Sequence, residues 1–462
     1  MKIAFTTLGC KLNYAETATY ERGFMAAGWE VVPWTARADV YLINTCAVTE
    51  TAEKKSRNLI RRAHKTASDA RIVVTGCYAE LRKDQLLAID GVWKVFGATE
   101  KSALVPSVLQ ASEVGVPSET HGHPRPCKRE GPAGVWAGGN ACIPDGSNVS
   151  GRGREAKVSE GTPTSEAIGT TFGAYSSGEE RTRSFLKVQD GCDNFCAYCT
   201  VPYARGRSRN LAICEVVKMA EHIAADGVKE VVLTGVNTGD FGRTTGESFL
   251  DLLKALNEIK GIERYRISSI EPNLITPEIV DWIASGTKFQ RHFHIPLQSG
   301  SDTLLRRVGR RYDTALFASR IDYIRQALER PGQPKVFFGI DVIVGLPGET
   351  EELFMETYNF LKERIRPAFI HVFPYSRRPG TRAAEWKDQV QDSVKTRRVA
   401  RLEALCEELH KDFVEAHKGM KETVLWESSV KGGLMGGYTG NYIRVEKPFD
   451  PALVNQLEEI TL

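Results

Sequence analysis

The sequence predicts an α/β protein in three parts: a doubly wound parallel sheet at the N-terminus, a partial parallel (β/α) barrel in the centre and a small all-β unit at the C-terminus. Three observations carry this expectation. Short apolar runs alternate with helix-period stretches over residues 1–110 and again over 181–418, the pattern of strands buried between helices. Between the two series, residues 111–180 turn to Gly, Ser, Thr and Pro with little hydrophobic period, as in a poorly ordered linker. Beyond residue 418 the helical pattern gives way to short strands punctuated by Gly436, Gly437 and Gly440.

A chain of 462 residues has room for about three domains. Its net charge of +3 is too small to establish a nucleic-acid partner, which depends on where basic residues cluster. No apolar run is long enough for a membrane span, and the first residues lack the pattern of a signal peptide. A cytoplasmic protein is therefore expected, whose ten cysteines are thiols or metal ligands rather than disulfides.

In chain order, residues 2–8 read as a buried strand and 15–27 as a helix that stops at Gly28. Residues 40–43 and 71–74 are further strands, with helical stretches between them. In a doubly wound sheet, ligands sit outside the carboxyl ends of the strands. Cys10, Cys46 and Cys77 each follow one of these strands. One such cysteine would simply be a small buried hydrophobe; three in the same place look like the ligands of a metal cluster. In the linker, His121, His123, Cys127 and Cys142 are irregularly spaced among glycines, so a surface loop is a better reading of them than a zinc site.

After the linker, residues 185–188, 228–233, 265–268, 292–297, 336–344 and 369–373 read as strands separated by helices, so the active site is expected at their carboxyl ends. The loop after the first of them carries Cys192, Cys196 and Cys199 in the spacing Cys-x-x-x-Cys-x-x-Cys. Three thiolates on one short loop can hold three corners of a cubane iron-sulfur cluster and leave the fourth iron open. Zinc is the alternative, but it favours a Cys-x-x-Cys pair with two further ligands, and the next cysteine, Cys214, falls inside a helical stretch.

This motif resembles the radical S-adenosylmethionine (SAM) superfamily, in which the open iron chelates the amino and carboxylate groups of SAM. The N-terminal arrangement, Gly9-Cys-Lys-Leu-Asn13 with Asn44-Thr-Cys46 and Gly76-Cys77, resembles the methylthiotransferases, and the likeness runs over nearly the whole chain apart from the linker. The resemblance implies two [4Fe-4S] clusters, an auxiliary one on Cys10, Cys46 and Cys77 and a SAM-binding one on Cys192, Cys196 and Cys199. It implies that SAM lies against the loops carrying Gly235, Asn237, Ser268, Glu271, Gln298, Asp341 and Gly345, with Tyr198 stacking on the adenine. In the family's reaction one SAM methylates sulfur at the auxiliary cluster, a second is cleaved reductively, and the radical produced activates a carbon-hydrogen bond. An external electron donor, a sulfur source, a tRNA substrate and a monomeric protein are expected.

Residues 394–418 read as a long charged helix, and 419–462 resemble the RNA-binding TRAM domain of the same family. Phosphate or substrate contacts are expected from Arg205, Arg207 and Arg378, so that replacing Arg205 or Arg207 by Ala weakens tRNA binding. Members of the family act on threonylcarbamoyladenosine in tRNA, on isopentenyladenosine in tRNA, or on an aspartate of a ribosomal protein. Gly9-Cys-Lys-Leu-Asn-Tyr-Ala-Glu-Thr17 is most similar to the first branch. The threonylcarbamoyl group carries a carboxylate and polar amides, so its pocket must supply cations or hydrogen bonds to offset their burial. The reading from a different class is an iron-sulfur electron-transfer protein that does not bind SAM.

Overall fold

A computed structural model describes residues 1–113, 173–176 and 182–462. His121, His123, Cys127 and Cys142 lie outside the described residues. The N-terminal sheet comprises β1 (Lys2–Thr7), β2 (Glu30–Val32), β3 (Val40–Thr45), β4 (Arg71–Gly76) and β5 (Val92–Phe96), all parallel in the order β2-β1-β3-β4-β5. The pleat sends alternate residues to opposite faces. Ile3, Val40, Leu42 and Val73 pack with Tyr20 and Phe24 of the helix Lys11–Ala26. Ala4, Tyr41, Ile43, Ile72 and Val74 pack with Ile60 and Ala63 of the helix Glu50–Thr66 on the other side. Sheets covered on both faces need such continuous apolar runs, which is why β3 reads so plainly in the sequence.

Two strands, β2 and β5, go beyond the sequence reading; both are at sheet edges and lack an uninterrupted apolar run. The first helix also begins earlier than expected, at Lys11, because its opening turn is held by polar contacts of Asn13 rather than by an apolar stripe. The strand order reverses between β1 and β3. The loops leaving those two strands therefore diverge and open a crevice, the usual ligand position in such sheets. Cys10 follows β1, Cys46 follows β3 and Cys77 follows β4, all at that end.

The central unit contains β6 (Arg183–Lys187), a two-residue ribbon of β7 (Gln189–Asp190) and β8 (Arg209–Asn210), then β9 (Glu230–Thr234), β10 (Arg264–Ile267), β11 (His292–Gln298), β12 (Phe337–Val344) and β13 (Phe369–Pro374). Parallel pairing gives β6-β9-β10 and β11-β12-β13. Bridges Tyr265–Phe289 and Ser269–His294 join the two triplets into one open half-barrel. Its outer surface is covered by helices including Ile213–Ala225, Phe249–Asn257, Thr314–Leu328 and Asp392–Glu415, which supply one large apolar core. The six expected strands and the expected α/β class are thus present, and the helix Lys11–Ala26 packs against β6 along the open side.

The C-terminal strands β14 (Lys421–Lys431), β15 (Leu434–Thr439), β16 (Arg444–Pro448) and β17 (Leu457–Thr461) form an antiparallel sheet ordered β16-β15-β14-β17 around Val424, Trp426 and Met435. Buried Arg266 fastens this sheet to the barrel, donating to the carbonyls of Thr439 and Gly440 at 2.8 Å while Glu230 accepts from its Nε at 2.7 Å. Arg183 adds a bond to the Tyr442 hydroxyl at 2.9 Å. Arg264 donates to the Tyr438 carbonyl at 3.2 Å, and Arg183, Glu230 and Arg264 lie at the starts of β6, β9 and β10, so the C-terminal sheet sits at the opposite end of the barrel strands from the cysteine loop.

Candidate active site

The cysteine loop is shaped by its own backbone before any tertiary contact. Gly191 has φ +72°, and a Cβ there would stand 1.9 Å from the carbonyl oxygen of Arg207, so only glycine fits. The turn brings Cys192 N–H onto the Gly206 carbonyl at 3.1 Å, and Cys199 N–H closes on the Cys196 carbonyl at 3.0 Å. Cys192, Cys196 and Cys199 consequently line one cavity of about 320 Å³ together with Tyr198, Asn237, Glu271, Gln298, Asp341 and Arg378. Gly235 and Ser268 line an adjoining cavity instead. Gly345 lines neither; its N–H donates to Glu349 Oε2 at 2.6 Å in a turn after β12.

Two residues that the sequence reading passed over hold this wall. Buried Gln189 accepts from the N–H groups of Val236 and Asn237 at 2.9 and 3.0 Å, and donates to the Gly191 carbonyl at 2.8 Å and to Ser208 Oγ at 3.0 Å. It ties the cysteine loop to the loop after β9. Arg310 donates to Cys196 Sγ at 3.3 Å and to Glu271 Oε1 at 2.6 Å, and Asn194 reaches the same carboxylate oxygen at 2.8 Å. Nothing in the local sequence marks Gln189 or Arg310, since each acts on loops distant in the chain. Burial pushes the Cys192 thiol up to about 11 and Cys199 up to about 12. A bound metal reverses that preference by stabilising the thiolate.

The second trio is assembled by the sheet. Parallel register sets Thr7 opposite Asn44 and Thr45 opposite Gly76, which brings the residues that follow to one edge. Asn13 Nδ2 donates to the carbonyls of Leu8 and Thr45 at 2.8 and 3.1 Å and so clamps the first two cysteine loops together. A Cβ on Gly9 would be 3.3 Å from Cys46 Sγ. Burial, and then the neighbouring Cys77, push Cys46 up to about 12; Cys77 is raised chiefly by burial. Among the described residues, only His294, Asp341 and His371 bring three possible ligand atoms within 4.8 Å of one another. Neither cysteine trio converges as the ligands of a single zinc ion must, whereas all-thiolate sets spread more widely suit iron-sulfur clusters.

Arg205 corrects the sequence expectation. It was expected to meet phosphate, but it is 3% exposed and faces inward. Its guanidinium binds Asp190 Oδ1 at 2.9 Å, Glu16 Oε1 at 3.1 Å and the Asn13 amide oxygen. Lys101 and Lys187 also hold Glu16, at 2.8 and 2.9 Å, and Lys187 and Arg209 hold Asp190 at 2.6 and 3.2 Å. Four cations thus surround two carboxylates, an excess of two positive charges beside Cys10, Cys46 and Cys77. Thiolate-bound clusters carry compensating negative charge. Arg378 is likewise buried, paired with Glu53. Arg207 alone of the three is exposed, lying over the Phe195 ring at 4.9 Å and 3.5 Å from Asp193.

The adjoining cavity, about 700 Å³, runs from Cys10 and Lys11 past the barrel lumen to Tyr438 and Tyr442 of the C-terminal sheet. His294 Nε2 meets Asp341 Oδ1 at 2.7 Å on its wall, and burial, with His294 beside it, pushes His371 down to about 4. The lumen accordingly carries nitrogen groups, among them Lys11, Arg183, Arg266, His294 and His371, set in a largely apolar lining.

Residues 2–97 match the uncharacterized protein family UPF0004, and residues 186–361 match the radical SAM superfamily. The chain is 39% identical to the threonylcarbamoyladenosine tRNA methylthiotransferase MtaB of Bacillus subtilis (strain 168), over 96% of this chain and 89% of that protein. It is 34% identical to the protein of the same name from Aquifex aeolicus, over 97% of each. Identity to the tRNA-2-methylthio-N(6)-dimethylallyladenosine synthase of Geobacter sulfurreducens is 32%, over 99% of this chain and 93% of that protein. In fold it is similar to the radical SAM methyltransferase TsrM of Kitasatospora setae, with TM-score 0.55 and 15% identity over 83% of this chain and 75% of that one. With relatives this similar along nearly its whole length, and with both cysteine trios built into the fold, the chain belongs to the radical SAM tRNA methylthiotransferases.

Proposed function

We propose that the protein adds a methylthio group to carbon 2 of N6-threonylcarbamoyladenosine at position 37 of tRNA, next to the anticodon on its 3′ side. The observation that carries the chemistry is the pair of cysteine trios tied together by a buried ion network, in which Glu16 of the helix after Cys10 meets Arg205, itself paired with Asp190 just before the cysteine loop, with the open lumen of the half-barrel beside them. Similarity to the MtaB proteins supports the substrate. A threonylcarbamoyl group can pair its carboxylate and amides with Lys11, Arg183, Arg266, His294 or His371 of the lumen, whereas an isopentenyl group offers these residues nothing.

The donor sets fit two [4Fe-4S] clusters, Cys192, Cys196 and Cys199 holding one and Cys10, Cys46 and Cys77 the other. When bound, the clusters and SAM supply the methyl group, the sulfur site and the radical. The chain's own part is placement and shielding. Asn237 and Glu271, joined by a 3.1 Å bond from the Glu271 N–H, are set to orient the amino and ribose groups of SAM. Gln298, Asp341 and Tyr198 complete the wall, with Tyr198 against the adenine. Apolar Val201, Ile343 and Phe373 help keep water from the reacting atoms. Residues 1–110 then form the auxiliary-cluster domain, 181–418 the SAM barrel with its following helix and 419–462 a TRAM-like RNA-binding unit, joined by 111–180. The electron donor and the sulfur source are external, and a monomer working in the cytoplasm suits a tRNA substrate. No helix among the described residues is long and apolar enough to cross a membrane.

Nucleoside mass spectrometry on a strain lacking the gene tests the assignment. The 2-methylthio form of threonylcarbamoyladenosine should vanish while that of isopentenyladenosine persists. The opposite pattern assigns the protein to the isopentenyl branch. Formation of 5′-deoxyadenosine from SAM by the reconstituted, dithionite-reduced protein separates the enzyme from an electron-transfer protein.

A further inference from the structure

Four lysines and arginines line the large cavity: Lys11, Arg183, Arg266 and Arg444. Three of them already have acidic partners. Arg183 pairs with Glu427 at 2.8 Å, Arg266 with Glu230 at 2.7 Å and Arg444 with Glu446 at 2.8 Å. Lys11 has no carboxylate within 4.0 Å among the described residues, and no side chain there hydrogen-bonds to it. Arg183 and Arg266 repel this partly buried ammonium and Asp341 attracts it only from beyond 4.0 Å, so it is left to be paired by an anion that enters the cavity. Its position narrows the choice of ligand, because Lys11 directly follows Cys10 at the start of the helix Lys11–Ala26.

We propose that Lys11 binds the threonyl carboxylate of the substrate nucleoside and is the residue that selects for it. The proposal rests on the reading of the enzyme given above and deepens it. In an N6-carbamoylated adenine the ureido N–H closes on ring nitrogen N1, which lays the threonyl group along the edge that carries carbon 2. A nucleoside whose carbon 2 faces the sulfur site at Cys10 therefore brings its carboxylate to the neighbourhood of Lys11. Arg183 and Arg266 add to the positive field of the lumen without being free to form the contact themselves. Arg205, the cation expected from sequence to take this part, is enclosed in the network with Glu16 and Asp190. The same geometry discriminates by charge: an isopentenyl group would leave the ammonium unpaired, a penalty that rejects the wrong substrate.

The test uses the full-length protein with both clusters reconstituted and two anticodon stem-loop RNAs, one with the natural threonyl carboxylate and one with that carboxylate converted to the carboxamide. Wild-type protein should favour the acid over the amide by about tenfold to a hundredfold in kcat/KM, the range expected for a hydrogen bond between charged groups. In Lys11→Gln the acid should lose that advantage, the two RNAs becoming equivalent, and Lys11→Arg should restore part of it. Fluorescence anisotropy with the same RNAs, and iron content with the absorption spectrum of the clusters, provide readouts independent of turnover. An unchanged preference for the acid in Lys11→Gln, or an equal fall on both RNAs with the ratio preserved, overturns the proposal, the second outcome meaning that Lys11 serves the cluster. If wild-type protein methylthiolates neither RNA but accepts an isopentenyl one, the underlying substrate reading has failed instead.

Discussion

The cysteine loop after β6 and the strand-end cysteines of the N-terminal sheet present equal numbers of thiols but are built at different levels of structure. Cys192, Cys196 and Cys199 are set by the turn chemistry of one short loop, with Gly191 allowing it to fold back on Arg207. Cys10, Cys46 and Cys77 have no local relation; the parallel register of β1, β3 and β4 brings them together. A strand that slips by one residue turns its side chains to the opposite face, so the second site depends on the whole sheet while the first depends mainly on itself. The ion network of Glu16, Lys101, Lys187, Asp190, Arg205 and Arg209 is where the two meet.

Removing each trio in turn should have the largest effect. Changing Cys192, Cys196 and Cys199 to Ala should abolish SAM cleavage while the N-terminal cluster persists, with iron content falling by about half. Changing Cys10, Cys46 and Cys77 to Ala should stop methylthiolation but leave some SAM cleavage. Full methylthiolation by the second variant would falsify the assignment of an auxiliary cluster to the strand ends.

The next largest effect is expected at the shared network. Glu16→Ala leaves Lys101, Lys187 and Arg205 facing one another in a buried space, and should cost about 3–5 kcal/mol in chemical denaturation. Iron should be lost first from the N-terminal site, because the variant loosens helix Lys11–Ala26 from β6. Burial opposes ionisation of Glu16, but Lys101, Lys187 and Arg205 outweigh it and hold the carboxyl well below its ordinary value of 4.5. The unfolded chain therefore takes up this proton first as pH falls. The stability that Glu16 contributes is complete above about pH 4.5 and lost as the pH drops toward the folded value, so wild type should lose its advantage over Glu16→Ala in acid.

A smaller effect tests the local site. Gln189→Ala removes the acceptor for Val236 and Asn237 and should weaken SAM binding by about tenfold, the scale of residues that support a ligand wall, with little change at the N-terminal cluster. Equilibrium binding of SAM to the reconstituted protein measures it. The smallest is Arg207→Ala on the exposed rim, where tRNA affinity should fall less than tenfold and the salt dependence should flatten by about one unit. Arg205→Ala, by contrast, should act first on folding, since its guanidinium is internal.

Much of the chemistry was legible in the chain because it rests on short-range signals. The Cys-x-x-x-Cys-x-x-Cys spacing is a local pattern, and Cys10, Cys46 and Cys77 could be connected because apolar runs announce strands and strand ends hold ligands. Asn237 and Glu271 stand out in the same way, as polar residues after successive strands, and both line the cavity with the cysteines. The edge strands β2 and β5 escaped because partial burial leaves no continuous apolar run.

The order of strands and helices, the α/β class and the thiols available at strand ends therefore follow from local patterns along the chain. Tertiary structure alone decided which charges face inward. Arg205, Arg207 and Arg209 alternate in one segment and look alike, yet Arg205 is buried against Glu16, Arg209 is held by Asp190 and Arg207 points to solvent. The physical reason is that a charge is placed by the partners that stabilise it, and those partners come from distant parts of the chain. Glu16 reaches Arg205 only because the helix after β1 packs on β6, and Lys11 lines the lumen with no ion-pair partner among the described residues because the same packing carries it there.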